Sequence, residues 1–232
     1  GRQNLALTFD SSPFLAHTVG LGYGVIRWLN RGLFLGEWRV YIGVQVDDVF
    51  LNNDMWGGGT FRITGADLTK AHAWQIATQN EPTTSDFTYD LAFNGHGTTG
   101  VYANDTLTPT AQALEADFKW LNHTYSHLNL NAISYAAAMA EFTQNTDRAT
   151  ALGLGDYLEV NLVTPQISGL KNANAMRAAY DSGVRFLVSD TSIADQANPS
   201  PNAGLYNYVE PRILMIPRRP TNRPPKQPQR PR

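Results

Sequence analysis

Two acidic residues and two histidines are the side chains of this sequence best suited to chemistry on a metal. Asp47 and Asp48 follow an apolar run, and the segment HTYSH at 123–127 places two imidazoles four residues apart. If that segment forms a helical turn, His123 and His127 lie on one face and can reach one ion. One carboxylate completes a ligand set that leaves a position open for water, and the other carboxylate can accept a proton from that water.

Each half of this constellation has a simpler explanation. Two histidines four residues apart are often surface or capping residues, and adjacent aspartates often cap or solubilise a loop. If all four residues were structural, the chain would be another kind of α/β hydrolase, but the nucleophile sequence G-x-S-x-G does not occur in it. Their combination at the end of an apolar strand favours a metal site.

Strand-like and helix-like segments alternate along the chain, which predicts an α/β fold with a mainly parallel sheet. In such folds the working residues follow the carboxyl ends of strands, where Asp47 and Asp48 lie. The apolar patterns predict strands over 40–46, 87–93, 160–163, 184–189 and 213–216, and helices over 19–28, 65–80, 108–120, 131–148 and 174–182.

Composition excludes several function classes for this chain of 232 residues. There is no cysteine, which excludes thiolate nucleophiles, disulfides and zinc ribbons. No apolar run reaches the roughly 18 residues that a transmembrane helix needs. Residues 217–232 hold six of the 18 Lys and Arg residues, so the rest carries 12 cations against 20 acids. Because residues 1–216 are acidic overall, they are not expected to form a surface that binds nucleic acid.

The same patterns predict three segments. Residues 1–35 fit the alternation poorly and are expected to be the end of an upstream domain or a segment leading into the next one. Residues 36–216 form the α/β domain. Residues 217–232 are basic and rich in proline, which predicts a disordered tail.

The metal-binding pattern resembles a known enzyme family. Val46-Asp47-Asp48 followed by the 123–127 segment resembles the first two motifs of polysaccharide deacetylases of the NodB-homology type. Longer stretches are similar to the galactosaminogalactan deacetylases, carbohydrate esterase family 18: GEWRVYIGVQVDDVFLNNDMW, GTFRITGADLT and WLNHTYSHLNLN. The resemblance covers residues 5–216.

This resemblance implies a distorted (β/α) barrel of the NodB-homology type that lacks its last strand and helix. It implies a secreted, monomeric hydrolase that removes acetyl groups from an exopolysaccharide of N-acetylhexosamine, with N-acetylgalactosamine as the expected unit. Asp47 is then the base, and Asp48, His123 and His127 bind zinc or another divalent transition metal. The substrate is attacked by metal-bound water.

The sequence departs from the family in its later motifs. Family members use a late histidine as general acid, but no histidine follows His127, so no general acid is found in this chain. The third motif has no arginine; Gln166 there, Asp190 after a strand and Trp56 in a glycine-rich loop are the candidate substrate-binding residues. The missing acid leaves an alternative open: a non-catalytic carbohydrate-binding pseudoenzyme domain that retains the metal site.

Overall fold

The computed structural model describes residues 4–9, 16–33, 43–55, 57–198 and 203–218. The chain divides into two compact units, one of Gly1–Ile42 with Pro199–Asn202 and one of Gly43–Asn198 with Ala203–Arg232. In the described part of the first unit the regular element is helix α1, Ala16–Leu29, where the sequence predicts a helix. None of the described helices combines the length and apolar character that a bilayer span requires.

The described part of the second unit contains nine strands. They are β1 Val44–Val46, β2 Asn53–Asp54, β3 Thr60–Phe61, β4 Tyr89–Phe93, β5 Lys119–Asn122, β6 Tyr157–Leu162, β7 Phe186–Asp190, β8 Leu205–Tyr206 and β9 Leu214–Arg218. Seven of them form one sheet in the order β1-β4-β5-β6-β7-β9-β8, and β2 and β3 form a separate antiparallel pair. All neighbours in the large sheet are parallel except β8 and β9. The predicted α/β fold with a mainly parallel sheet is confirmed.

Four helices cover one face of this sheet. They are α2 Gly65–Gln79, α3 Leu107–Ala113, α4 Tyr135–Leu152 and α5 Ala173–Asp181. Alternate residues along each strand point to opposite faces, so Leu91 and Phe93 of β4 pack toward the helices while Ala92 joins a smaller cluster on the other face. Strands β4, β5 and β7 therefore bury apolar side chains on both faces of the sheet, as strands of parallel sheets usually do.

Local capping explains where two of these helices begin. Thr64 and Asp67 form a reciprocal capping box at the start of α2, in which Thr64 is the N-cap. Helix α4 begins after the N-cap Ser134 and ends at Gly153, whose φ of 75° suits glycine.

The sheet curls toward a barrel. Strands β1 and β9 are five strands apart in the sheet order, a separation of about 24 Å in a flat sheet. Arg218 on β9 nevertheless contacts Asp47, directly after β1, at 2.8 Å. A side-chain ion pair thus bridges two strands that are not neighbours in the hydrogen-bonded sheet.

Two sequence predictions of elements need correction. The helix predicted over 108–120 ends at Ala113, a short 3-10 turn follows, and Trp120 lies in strand β5. Trp120 is fully buried among Phe50, Phe93 and Phe118, and this packing outweighs the helical pattern of the local sequence. Strand β9 also extends to Arg218, two residues into the predicted tail. Residues 219–232 lie outside the described residues.

Candidate metal centre

Asp48, His123 and His127 converge at the carboxyl edge of the sheet. Oδ1 of Asp48 lies 3.0 Å from Nε2 of His123 and 2.9 Å from Nε2 of His127. One potential ligand atom of each residue lies within 4.8 Å of the other two. The structure thus brings together the three metal ligands that the sequence predicts.

Both ligand-bearing segments are loops with unusual backbone geometry. Asp48 follows β1 with a φ of 58°, and the 123–127 segment follows β5 with φ values of 63° at Thr124 and 61° at His127. The helical turn expected for the two histidines is therefore wrong. Non-glycine residues adopt this left-handed conformation at a cost of about 1–3 kcal/mol, and such strain clusters at functional sites.

Residues from two other elements hold the histidine loop in place. The Asn94 side-chain amide donates to the carbonyl oxygens of His123 and Thr124, at 2.6 and 3.0 Å. The buried Glu141 carboxylate on α4 accepts from the Ser126 N–H at 2.8 Å and from the Ser126 hydroxyl. Sequence reasoning missed both residues, because Asn94 reads as a turn residue and Glu141 as an ordinary helix residue.

The orientation of His123 fits metal binding. Its Nδ1 lies 2.7 Å from the carbonyl oxygen of Val163, which can only accept a hydrogen bond, so Nδ1 carries the proton. In the neutral imidazole, the Nε2 lone pair then faces the Asp48 carboxylate, which is electron-rich as well. Such a convergence is stabilised by a cation, and a histidine whose other nitrogen donates to a carbonyl is the usual arrangement of metal ligands. The donor set suits a divalent transition metal.

Asp48 is charged in this environment. Burial raises its pKa, but when His123 and His127 are protonated in the absence of a metal, their hydrogen bonds and positive charges lower it by more, so the net pKa lies well below the usual value for aspartate. The carboxylate is therefore ionised across the neutral pH range, as a metal ligand must be.

Asp47 is paired with an arginine rather than with the histidines. Nη2 of Arg218 donates to Oδ2 of Asp47 at 2.8 Å, while Oδ1 of Asp47 and Nη1 of Arg218 are both buried without a hydrogen-bond partner among the described residues. A buried acceptor without a partner is costly unless a ligand or water uses it. Sequence reasoning missed Arg218, which belongs to the basic segment predicted as a tail.

Gln166 lies in the loop that follows β6. Two contacts connect this loop to the segment that contains the histidines. Its Oε1 accepts from Nδ2 of Asn129, two residues after His127, and the loop begins at Val163, whose carbonyl contacts His123. Gln166 is exposed and adopts a φ of 54°, followed by Ile167 at 50°. Of the described non-glycine residues with positive φ, most belong to the loops of this site: Asp48, Thr124, His127, Gln166 and Ile167.

Of the two other predicted substrate-binding residues, the structure describes Asp190. Asp190 ends β7 beside Arg218 in the sheet register, and its Oδ1 accepts from the N–H and hydroxyl of Ser192. Trp56 lies outside the described residues. His96 donates its backbone N–H to the Tyr125 carbonyl, and its ring packs edge-on against Tyr125.

The fold has relatives of known structure. The crystal structure of Agd3, described as a novel carbohydrate deacetylase, matches with a TM-score of 0.78 and 22% identity, covering 88% of this chain and 40% of that chain. This chain therefore spans less than half the length of that relative. The deacetylase PplD of Streptococcus pyogenes, in complex with acetate, matches at 12% identity with a TM-score of 0.47, covering 84% and 71% of the two chains. A family 4 carbohydrate esterase from Streptomyces lividans, also with acetate, matches at 15% identity with a TM-score of 0.43, covering 68% of each chain.

Sequence comparison is more specific. No curated protein matches the chain. A sequence profile of the Agd3 deacetylase domain matches residues 42–113 and 101–205, which together make up well over half of the chain. This match confirms the resemblance to deacetylases that the motifs around Asp47 and His123 predict. The chain belongs to the family of Agd3 deacetylase domains.

Proposed function

We propose that this chain is a metal-dependent hydrolase that removes acetyl groups from N-acetylhexosamine units, with N-acetylgalactosamine as the preferred unit, of an extracellular polysaccharide. The observation that carries the proposal is the pairing of two aspartates with different surroundings at one strand end. Asp48 faces two imidazole nitrogens, while Asp47 faces a guanidinium. One carboxylate is thus arranged to bind a cation and the other to accept a proton.

Asp48, His123 and His127 would hold the metal, zinc or another divalent transition ion. When bound, such an ion acidifies a water molecule and polarises a carbonyl group. The hydrogen bond from Nδ1 of His123 to Val163 selects the tautomer of the neutral ring in which Nε2 carries the lone pair, and it directs Nε2 into the site.

Asp47 would act as the base. Its Oδ1 has no partner among the described residues and can accept the proton of the attacking water. Arg218 occupies the other oxygen and so fixes the rotation of the carboxylate. The protonated Asp47 can then return the proton to the departing amine.

Three further residues are proposed to contact the substrate. Gln166 has an exposed amide in a strained loop beside the ligands, and its Nε2 can donate to sugar hydroxyls. Asp190 ends the strand next to Arg218. Trp56 is proposed from its sequence position alone, after Asp47 and Asp48. A secreted location and a monomeric state follow from the same resemblance and are proposals as well.

A second candidate function rests on one specific observation. Residues 128–232 contain no histidine that could serve as the general acid expected from the family. A non-catalytic domain that binds the metal and the polysaccharide without hydrolysis is consistent with that absence.

Acetate release distinguishes the two functions. The chain is purified, its bound metal is measured by elemental analysis after dialysis, and it is incubated with polymers of N-acetylgalactosamine and of N-acetylglucosamine. Near-stoichiometric metal with acetate release supports the deacetylase, and faster release from the galactosamine polymer supports the preferred unit. Metal and polymer binding without acetate release supports the non-catalytic domain. Folded protein that binds no divalent metal contradicts both.

A further inference from the structure

A second feature of the molecule, beside the metal centre, is a cavity of about 270 Å³. The residues of its lining that matter here are Asn52, Arg62, Thr64, Tyr102, Asn104 and Thr106. The cavity is smaller than the roughly 300–1,000 Å³ typical of sites for drug-sized ligands. Its size therefore suits a single small ring rather than an extended molecule.

Arg62 forms a fixed wall of this cavity. Its Nε donates to the Phe50 carbonyl at 3.0 Å, its Nη2 to the Gly97 carbonyl at 3.1 Å, and its Nη1 to Asp105 at 3.0 Å. The guanidinium is also stacked 4.4 Å from the centre of the Tyr102 ring. These contacts join three loops at one point, so the cavity has a rigid wall.

The same contacts determine which ligands the cavity suits. The Asp105 carboxylate balances the charge of Arg62, and each of the three guanidinium nitrogens already donates a hydrogen bond. An anionic ligand would therefore gain little from this arginine. The remaining polar groups of the lining are hydroxyls and amides, with the Tyr102 ring beside them. Neutral hydroxyls and amides suit a ligand that both donates and accepts hydrogen bonds.

The backbone of Asn104, which lines the cavity, is strained. It is exposed, lines the cavity and has a φ of 54°, in the left-handed region that favours glycine. An asparagine tolerates this conformation better than most residues, and it supplies an amide that a glycine would lack.

Asn52, which lines the cavity, is close in the chain to Asp48 of the candidate metal centre. Asn52 is four positions after Asp48 in the chain, a separation of at most about 14 Å between their Cα atoms. Nδ2 of Asn53 donates to the Asp48 carbonyl at 3.3 Å, and the Asn52 N–H donates to the Tyr102 hydroxyl at 3.2 Å. The distance is within the reach of a short oligosaccharide whose acetylated unit is at the metal.

We infer that this cavity is a subsite for one neutral sugar ring of the polymer, next to the unit that loses its acetyl group. The inference rests on the proposed function for the identity of the ligand. It makes Asn104 and Tyr102 residues that discriminate polymer from monomer.

Asn104→Gly is the sharpest variant, because it removes the amide and relieves the strained φ. Its thermal stability should equal or exceed that of the wild type. Its affinity for N-acetylhexosamine pentamers should fall about three- to tenfold, the size of one or two lost hydrogen bonds. Its affinity for the monomer should not change. Asn80→Gly is the matched control, since Asn80 is exposed and caps the C-terminal end of α2. Gly65, at the other end of this helix of 15 residues, contacts Thr106 of the cavity lining, so Asn80 is about 22 Å along the helix from the cavity.

Binding is measured apart from catalysis, by calorimetry with pentamers of N-acetylgalactosamine and N-acetylglucosamine in an Asp47→Asn background. If the pentamer affinity is the same with asparagine and with glycine at position 104, the subsite is overturned, whether or not the wild type releases acetate. Failure of both pentamers to bind also overturns it. Weaker pentamer binding by Asn104→Gly, in a chain that releases no acetate, supports the subsite and overturns the proposed hydrolysis instead.

Discussion

Nη2 of Arg218 and Oδ2 of Asp47 are 2.8 Å apart, although 171 residues separate them along the chain. Strand β9 carries the arginine, and β1 ends immediately before the aspartate. Since these strands are not neighbours in the sheet, the ion pair is formed only when the sheet has curled. The position of the proposed base therefore depends on the tertiary fold rather than on the loop that contains it.

Replacing Arg218 should impair catalysis without removing the metal. Arg218→Met releases the Asp47 carboxylate to rotate, and misplacement of a reacting group by about 1 Å can lower the rate a hundredfold. Arg218→Lys should recover part of this loss, because it retains the charge but not the planar guanidinium. The measurements are kcat for acetate release and the metal content of each variant.

Arg177→Met is the control for that experiment, since Arg177 pairs with Asp181 on the surface of α5. It should leave kcat and metal content unchanged. A wild-type rate in Arg218→Met would show that Asp47 does not need its partner. A loss of metal in that variant would show that Arg218 acts on the ligands instead.

Asp47 and His127 should separate catalysis from metal binding. His127→Ala removes a ligand whose side chain is partly exposed, so the fold should survive while bound metal falls sharply. Asp47→Asn should retain the metal and lose acetate release by about 10²- to 10⁴-fold, the usual contribution of a general base. Elemental analysis and an acetate assay are made on the same samples.

His72→Ala is the matched histidine control, because His72 lies on α2 near Asp117 and away from the ligands. It should retain both metal and activity. Equal loss of metal in Asp47→Asn and His127→Ala would argue that Asp47 is a ligand rather than a base.

Glu141 should stabilise the metal centre from α4. Glu141→Gln replaces two charge-assisted hydrogen bonds to Ser126 by neutral ones, since its amide can accept from the Ser126 N–H and donate to the Ser126 hydroxyl, at a cost of about 1–2 kcal/mol in the free energy of unfolding. Because Ser126 lies beside His127, the metal affinity should also fall about tenfold, as for other residues that position ligands. Urea unfolding and metal titration test the two effects.

The exposed Glu81→Gln serves as the control for Glu141. A Glu141→Gln variant with reduced stability but unchanged metal affinity would make Glu141 a residue of the fold alone.

The sequence could predict those parts of the fold and site whose signals are local. The strand near 184–189 and the helix near 174–182 have apolar periodicities of their own, and the structure has β7 and α5 there. Asp47 and Asp48 follow an apolar strand directly, and this position places them at the carboxyl edge of a parallel sheet, where ligands bind in such folds.

Other parts depend on contacts that no local pattern records. The conformation of the histidine loop is stabilised by Asn94 and Glu141 from distant elements, so its spacing alone suggested a helical turn. Arg218 stands among prolines and other cations, a composition typical of a disordered tail. Its role requires the pairing of β9 with β7, which brings the last described strand of the sheet to the site.

The Arg62–Asp105 pair should make stability depend on acid pH. Burial raises the pKa of Asp105, but hydrogen bonds from Arg62 and Thr108 lower it by more, so the folded-state pKa lies below the unfolded value of 3.8. The unfolded chain therefore binds the proton first, and the stability that Asp105 contributes is present above pH 3.8 and is lost as the pH falls through the folded-state pKa. Asp105→Asn, which leaves the partly buried Arg62 without its counter-charge, should cost about 1–3 kcal/mol at pH 7. Unfolding by urea at pH 7 and pH 3 should show this difference shrinking, whereas the exposed Asp147→Asn should cost little at either pH. A difference that stays constant between the two pH values would mean that the charge of Asp105 does not stabilise this wall of the cavity.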